Sequence, residues 1–329
     1  MIMKFLNAAP KRIIFSHVPK AAGTTMGRLL KKNLGSKFYP YYGLYDHYML
    51  RAIDVERMLE FHPQLLGVSS HLLSLDLPWD SEKFMICAVA FVREPIDRAQ
   101  SLFFYQQKTS NDKGISGQVS SESFFQSILD KDCEAGYPFM NAQWNFLQGK
   151  RSSWQYDFLL THIQSGRLVI APMERFDDAC ILLEKIHPEL LPDMAYPCRQ
   201  NTTARTSVLP LEIQEALAER NSRDFELYEW TQAAFDRQFE NMLGPNPAPA
   251  REDFKKRCAA VAGDWIAEDA EKALNREERS YFEHLKKENR RLRSENALLR
   301  SARDNRFLDL LPSPFLGVAG RLMDAVKDR

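Results

Sequence analysis

The sequence has little of what marks several common classes of protein. Its five cysteines include no C-x-x-C pair, so neither a zinc site nor a disulfide framework is predicted. Its 44 Lys and Arg residues equal its 44 Asp and Glu residues. A chain without net charge has no overall attraction for nucleic acid or for an anionic membrane, and no nucleic-acid partner is predicted. Any anion that the chain binds must therefore be recognised by local geometry.

Long apolar runs are also missing. The amino-terminal sequence MIMKFLNAAPKR holds a short apolar patch interrupted by Asn7 and Pro10, which is too small for the apolar core of a secretory signal. No other run approaches the roughly 20 residues of a membrane span. These absences predict a soluble, cytoplasmic protein.

Charged residues are distributed unevenly along the chain. In the last 79 residues 33 are charged, compared with 55 of the 250 residues before them. Three prolines near the junction deny backbone donors and favour extended structure. The length of 329 residues suffices for one large domain and an appendage. We therefore predict, in chain order, a domain over 1–243, a Pro-rich linker over 244–251, a charged helical segment over 252–306 and an amphipathic segment over 307–329.

Within the predicted domain, apolar runs of strand length alternate with helical patterns. The runs are continuous, which is typical of strands that are covered on both faces. The alternation predicts an α/β fold with a central, mostly parallel sheet flanked by helices. Strands are predicted over 12–18, 65–70, 84–92 and 167–173, and helices over 24–34, 54–61, 96–107, 176–187 and 211–242.

The tail carries leucines with a period of seven residues. Leu285, Leu292 and Leu299 form this repeat, and asparagines follow the first two leucines by four residues. The spacing is typical of a short dimeric coiled coil, which predicts a homodimer through residues 282–303. A solvated charged helix is the alternative interpretation.

The last residues of the chain are amphipathic. Residues 315–326 place apolar side chains along one stripe of a helix that is too short to span a bilayer. We expect this helix to contact a membrane surface or a protein. The basic run over 286–293 is expected on the outer face of the tail helix rather than at a nucleic-acid site.

The strongest chemical signal follows the first predicted strand. Small residues there let an anion approach the backbone, the start of the next helix adds unpaired N–H groups, and two threonines offer hydroxyls. A lysine supplies positive charge. We call this segment the anion-binding loop, and it consists of Lys20, Ala21, Ala22, Gly23, Thr24 and Thr25.

This loop differs from the phosphate loop of nucleoside triphosphatases. Their G-x-x-x-x-G-K-[ST] pattern has a glycine pair and places the lysine just before the helix, whereas Lys20 opens the loop. The order P-K-x-[AG]-[GS]-T-[ST] after a strand instead resembles the 5′-phosphosulfate loop of sulfotransferases. It is most similar to the heparan-sulfate 2-O-sulfotransferase-like carbohydrate sulfotransferases and their bacterial relatives. The resemblance implies a fold related to nucleotide kinases and 3′-phosphoadenosine 5′-phosphosulfate (PAPS) as the sulfate donor.

A second motif follows the third predicted strand. Residues 91–105 read FVREPIDRAQSLFFY and resemble the family's R-[DE]-P-x-x-R-x-x-S-x-[YF]-x-[YF] segment. An arginine at the carboxyl end of a strand offers a forked guanidinium to phosphate oxygens. The resemblance implies that Arg93 and Ser101 bind the 3′-phosphate of the donor. Arg98 is either a further ligand or the partner of an acidic neighbour.

His71 is the histidine that best fits a catalytic position. It directly follows the second predicted strand, at the end where open parallel sheets collect ligands. The resemblance implies that His71 deprotonates the acceptor hydroxyl, although Ser70 stands where the family usually has a glycine. His17 either faces the site or supports the anion-binding loop. His47 lies either at the rim of an acceptor site or in a turn with buried tyrosines.

Later segments resemble the family more loosely. One of them covers residues 141–149. Glu174 and Arg175 either form a structural ion pair or lie near the site. Residues 199–202 occupy the region in which sulfotransferases fold a loop over adenosine bisphosphate, and the resemblance implies that Arg199 binds the donor.

Together the motifs imply transfer of a sulfuryl group from PAPS to a hydroxyl of a carbohydrate or glycolipid acceptor. His71 is then the general base, and Lys20 stabilises the leaving phosphate. Such a reaction depends on alignment and charge stabilisation, and no metal is predicted. One alternative is a nucleotide or sugar kinase, which the missing phosphate-loop pattern disfavours. The other is a noncatalytic dimeric scaffold with a vestigial nucleotide site.

Overall fold

The fold is known from a computed structural model. The residues that it describes are 9–41, 49–112, 119–130, 138–149, 155–197 and 209–261. Several sequence-based predictions lie outside these residues: the coiled coil over 282–303, the amphipathic segment over 307–329, His47 and Arg199.

Five parallel strands form the central sheet. With the strands numbered along the chain, their spatial order is 2-3-1-4-5. Consecutive residues along most of the strands are buried, and Phe15, Val89 and Ile170 have no exposed surface. Both faces of the sheet are therefore covered. The strands are β1 (Lys11–Ser16), β2 (Phe38–Pro40), β3 (Gly67–Ser70), β4 (Met85–Val92) and β5 (Leu168–Pro172).

Helices flank this sheet. Their apolar side chains cover it, as in the helix Gly23–Leu34, where Met26, Leu29 and Leu30 are fully buried. No helix within the described residues is both long enough and apolar enough to cross a membrane. In the described part of the chain the α-helices are α1 (Gly23–Leu34), α2 (Ala52–Phe61), α3 (Pro95–Asp112), α4 (Ser121–Asp130), α5 (Ala142–Gln148), α6 (Tyr156–Gln164), α7 (Phe176–Ile186), α8 (Leu211–Arg220), α9 (Ser222–Leu243) and α10 (Ala248–Ala260).

The predicted α/β fold with a parallel sheet is confirmed, and each predicted strand is present. Strand β2 was not predicted, because three residues at the edge of the sheet are too short to form a pattern. The helix predicted over 211–242 is two helices, α8 and α9, which meet at Asn221. The buried side chain of Asn221 donates to the Leu217 carbonyl at 2.9 Å and accepts from the N–H of Asn141 at 2.8 Å. A tertiary contact thus interrupts the helical pattern.

The Pro-rich segment leads into a further helix of the same compact unit. Pro249 lies in the first turn of α10, where the missing N–H of a proline removes no helical hydrogen bond. Phe254 is 1% exposed, and Arg257 pairs with Glu184 of α7 at 2.7 Å. The compact unit extends to Asp264. Helix α10, which composition assigned to the linker and tail, therefore packs on the domain.

The register of the sheet brings the ends of three strands together. Ser16, the last residue of β1, pairs with Ser70, the last residue of β3. Strand β4 extends two residues beyond its own pairing with Ser16. The residues that follow these strands, His17, His71 and Arg93, consequently lie at one edge of the sheet. We call this edge the carboxyl edge.

Candidate active site

The anion-binding loop connects β1 to α1 with an uncommon backbone path. Lys20 and Ala22 have φ angles of 68° and 57°, a left-handed conformation that is unfavourable for residues with a Cβ atom. No side chain caps α1. Among the described residues, the N–H groups of residues 23–25 have no acceptor. The loop therefore presents unsatisfied backbone donors and the positive end of the helix dipole, both of which favour an anion.

Gly23 is required by the side chain of His17. A Cβ atom at residue 23 would lie 1.4 Å from Nε2 of His17, so any larger residue displaces the imidazole. The same ring stacks on Phe15, with centroids 5.3 Å apart. His17 thus lies directly against the anion-binding loop. The sequence predicted that small residues let an anion approach the loop, and the structure adds a second constraint at residue 23, the side chain of His17.

The imidazole rings of His17 and His71 are in contact. Their centroids are 3.8 Å apart, and Nδ1 of His71 lies 2.8 Å from the backbone oxygen of His17. A carbonyl oxygen can only accept a hydrogen bond, so Nδ1 of His71 carries the proton. In the neutral ring the lone pair is then on Nε2. The fold therefore selects one tautomer of His71.

Burial favours the neutral form of both rings. It lowers the pKa of His17 to about 3, and the neighbouring His71 adds to this shift. It also lowers the pKa of His71, although the hydrogen bond to the His17 carbonyl acts in the opposite direction. The His71 side chain nevertheless remains exposed to solvent. His71 is thus an accessible imidazole that is neutral at neutral pH.

The ammonium group of Lys20 lies over an aromatic ring. Its Nζ is 4.3 Å from the centroid of the Tyr105 ring, a cation–π contact. Burial lowers the pKa of Lys20, and the nearby charge of Arg93 lowers it further. No carboxylate among the described residues pairs with Lys20. Two neighbouring cations at one edge of the sheet favour an anion between them.

Arg93 is the first residue after β4 and leads into α3. The side chain of Glu94 caps this helix, because its oxygens accept the N–H groups of Ile96 at 3.2 Å and of Asp97 at 2.6 Å. Burial raises the pKa of Glu94, while the two N–H donors oppose that shift. The start of α3 is therefore fixed directly beside Arg93.

The two sequence motifs meet at the carboxyl edge. Ser101 and Tyr105 are four residues apart on α3 and share one face of the helix. Tyr105 contacts Lys20, so this face of α3 is directed towards the anion-binding loop. Ser101 is half-buried there. Side chains of the two motifs therefore lie next to each other.

Gln143, which sequence reasoning did not single out, holds the backbone of Arg93. Its Oε1 accepts the N–H of Arg93 and its Nε2 donates to the Arg93 carbonyl, both at 2.8 Å. Gln143 and Leu147 have no exposed surface, and their spacing places both on one face of α5. A glutamine on an otherwise apolar helix face was the available signal.

Arg98 belongs to the structure around the site. Its side chain is 1% exposed, and Nη2 donates to the carbonyl of Pro138 at 2.8 Å. Burial lowers the pKa of Arg98, whereas the nearby carboxylate of Asp224 raises it. The acidic neighbour of Arg98 is thus Asp224, which acts through its charge, while the hydrogen bond goes to a backbone carbonyl.

Glu174 and Arg175 contact different partners. Oε2 of Glu174 accepts the hydroxyl proton of Tyr228 at 3.1 Å. Arg175 pairs with Asp178 at 2.6 Å and also with Asp236. Arg175 therefore holds α7 and α9 together.

Among the described residues, no group of three His, Cys, Asp or Glu side chains is arranged to hold a metal ion.

The sequence matches one known protein family over most of its length. The model of the sulfotransferase family matches residues 3–231, a range that includes both motifs, His71 and Gln143. Comparison with curated protein sequences gives no match.

Proposed function

Because the chain belongs to the sulfotransferase family, we propose that it transfers a sulfuryl group from PAPS to a hydroxyl of a carbohydrate or glycolipid acceptor. The observation that carries this proposal is the meeting of three groups at the carboxyl edge. These are the anion-binding loop, the Arg93 segment and the single tautomer of His71. Each group supplies a different part of the reaction.

The residues at the carboxyl edge fit the charges of the donor. The uncapped N–H groups of residues 23–25 suit the 5′-phosphosulfate, and the hydroxyls of Thr24 and Thr25 lie at the same helix start. Arg93 offers a guanidinium to the 3′-phosphate, with Ser101 on the neighbouring helix face. In this assignment Ala21 and Ala22 line the phosphosulfate through their backbone. Arg199, which lies outside the described residues, is proposed to complete the donor site.

His71 has the protonation state that a general base needs. Nδ1 donates to the His17 carbonyl, so Nε2 is the nitrogen that accepts the proton of the acceptor hydroxyl. The lowered pKa of His71 keeps Nε2 unprotonated at neutral pH. Contact with the His17 ring restricts the orientation of the imidazole. This is the orienting partner that a catalytic base requires.

The proposed transfer is a single displacement at sulfur. The acceptor oxygen forms a bond to sulfur while the bond from sulfur to the bridging oxygen of the donor breaks. Nε2 of His71 takes the acceptor proton. The electron pair of the broken bond stays on the 5′-phosphate of adenosine 3′,5′-bisphosphate, where the ammonium of Lys20 stabilises the added negative charge.

The acceptor and the assembly are proposed from the sequence. A carbohydrate or glycolipid hydroxyl is the acceptor that the family resemblance favours. From the heptad leucines we propose a homodimer through residues 282–303. From the final amphipathic segment we propose a contact with a membrane surface or a protein.

Radiolabelled PAPS tests the reaction directly. The full-length protein is incubated with the labelled donor and a panel of glycans and glycolipids, with His71→Ala as the matched control. We expect label in an acceptor with the wild type and none with the variant. Transfer of phosphate from labelled ATP would instead support a kinase. Absence of both transfers, together with no binding of adenosine 3′,5′-bisphosphate, would support the scaffold.

A further inference from the structure

The backbone of Arg93 is held in a way that resembles an added strand. Arg93 is the first residue beyond β4, so its N–H and carbonyl lie past the end of that strand. The carboxamide of Gln143 accepts from the N–H at 2.8 Å and donates to the carbonyl at 2.8 Å. One side chain thereby fixes both polar groups of one residue. Gln143 has no exposed surface, so water does not replace these bonds.

Gln143 is itself held by a buried carboxylate. Oδ2 of Asp224 accepts the N–H of Gln143 at 3.2 Å, and Oδ1 accepts the N–H of Trp144 at 2.8 Å. Asp224 has no exposed surface and comes from the first turn of α9. It therefore caps α5 from another helix.

Helix α5 caps α9 in return. Oδ1 of Asn141, which precedes α5, accepts the N–H groups of Arg223 at 3.0 Å and Asp224 at 3.2 Å. Asn141 has a φ angle of 48°, a left-handed conformation that asparagine tolerates better than most residues. The starts of two helices are thus joined, and the position of Gln143 relative to β4 depends on both.

We propose that Gln143 is a positioning residue that aligns Arg93 with the 3′-phosphate of the donor. The inference rests on the proposed function, because it assigns Gln143 a role only through Arg93. A forked guanidinium binds phosphate in a narrow geometry, and a small displacement of the backbone moves both of its donors. The carboxamide of Gln143 prevents that displacement. Gln143 acts on donor binding and not on proton transfer by His71.

The chain provides a matched control for this role. Gln238 on α9 is also buried, at 7% exposure. Its Nε2 donates to the carbonyls of Ile163 and Leu168, at 3.1 and 3.0 Å. Leu168 begins β5, so these bonds lie at the opposite end of the strands from the carboxyl edge. Loss of the Gln238 carboxamide costs similar hydrogen bonds without touching Arg93.

Calorimetric binding of adenosine 3′,5′-bisphosphate to the full-length protein tests the role. We expect Gln143→Met to raise Kd about tenfold, because misaligned charge-assisted bonds lose much of their strength. Gln238→Met is expected to lower Tm by as much as Gln143→Met lowers it, but to leave Kd unchanged. With donor and an acceptor, Gln143→Met raises the donor KM and leaves kcat within about twofold. An unchanged Kd in Gln143→Met, or equal effects of the two variants, would overturn the inference.

A double-mutant cycle separates action through Arg93 from general damage. In an Arg93→Ala background, Gln143→Met is expected to change Kd no further, because the group that it positions is gone. Additive effects would reject the role. If Gln143→Met does not fold, Gln143→Glu serves the same cycle, since it keeps an acceptor for the Arg93 N–H and loses the donor to the carbonyl. A wild type that does not bind adenosine 3′,5′-bisphosphate would instead overturn the proposed function.

Discussion

The two imidazoles at the carboxyl edge have separate tasks. His71 is exposed, and its Nδ1 donates a hydrogen bond to the His17 carbonyl. The lone pair on Nε2 is not used by this bond. The ring of His17 lies between the anion-binding loop and His71, and burial lowers its pKa to about 3. A neutral ring next to His71 avoids adding a third positive charge to Lys20 and Arg93. His17 therefore supports both the anion-binding loop and the ring of His71.

Replacing His71 separates chemistry from binding. His71→Ala is expected to lower kcat by about a hundredfold or more, because a positioned general base contributes roughly that much. Binding of adenosine 3′,5′-bisphosphate should stay within about twofold, since His71 is assigned to the acceptor and not to the donor. Steady-state kinetics and calorimetry measure the two quantities. Turnover close to that of the wild type would reject His71 as the base.

Helix α1 contains two glycines with opposite requirements. A Cβ atom at Gly23 overlaps the His17 ring, whereas a Cβ atom at Gly27 meets nothing within 4 Å. Gly27 lies in the interior of the helix, where glycine is less stable than alanine. One glycine is therefore needed for packing against the site, and the other only weakens the helix.

Alanine at the two positions tests this difference. Gly27→Ala is expected to raise the free energy of unfolding by about 0.5–1 kcal/mol without changing kcat. Gly23→Ala should displace the His17 ring and lower both Tm and kcat, the latter by on the order of tenfold to a hundredfold, because small misplacements at a reacting centre are costly. Thermal denaturation and kinetics of both variants decide it. Equal behaviour of the two would contradict the steric role of His17.

Helix α10 joins the end of the domain to α7. Phe254 is 1% exposed, and Arg251 pairs with the buried carboxylate of Asp178 at 2.7 Å. A chain that ends at Leu243 loses these contacts and leaves an apolar surface on the domain. A chain that ends at Asp264 keeps them.

Two truncations compare these ends. Ending at Leu243 is expected to lower the free energy of unfolding by about 2 kcal/mol or more, since burial of one phenylalanine side chain contributes 1.5–3 kcal/mol. Ending at Asp264 should leave Tm unchanged. Denaturant titration measures both, and sedimentation of the second protein tests whether the homodimer needs residues 282–303. Equal stability of the two truncations would show that α10 does not belong to the compact unit.

Buried neutral histidines make the stability of the folded protein depend on pH. Burial lowers the pKa of His187 from its usual 6.5 to about 4, and His187 is 3% exposed. Below pH 6.5 the unfolded chain binds a proton that the folded protein does not bind until about pH 4. The free energy of unfolding therefore falls as pH falls through this window.

Replacing His187 should reduce this pH dependence. Between pH 7 and pH 5 its contribution is about 2 kcal/mol, from 1.36 kcal/mol per pH unit of differential protonation. Between pH 7 and pH 5 we expect the free energy of unfolding of His187→Phe to fall by about 2 kcal/mol less than that of the wild type. Above pH 7 the free energies of unfolding of the two proteins should depend on pH in the same way. Urea denaturation at several pH values measures it. An unchanged pH dependence would show that His187 is protonated in the folded protein as easily as in the unfolded chain.

Much of the fold and part of the site were predictable because they depend on neighbours in the chain. Continuous apolar runs identify buried parallel strands wherever they occur, and the loop with Lys20 and the segment with Arg93 each follow such a run. Strand β2 has too few residues to form a pattern, and the break at Asn221 depends on its contact with Asn141. Patterns within a segment do not report contacts between segments.

The α/β class and the family resemblance followed from the sequence alone, since each depends on residues within short stretches of chain. The contacts that depended on the tertiary fold are the His17 ring beside Gly23, the His17 carbonyl that selects the tautomer of His71, and the bonds from Gln143 to Arg93. These contacts join residues from 6 to 54 positions apart. The order and register of the strands determine which residues meet, because they bring segments that are distant in the sequence to one edge of the sheet.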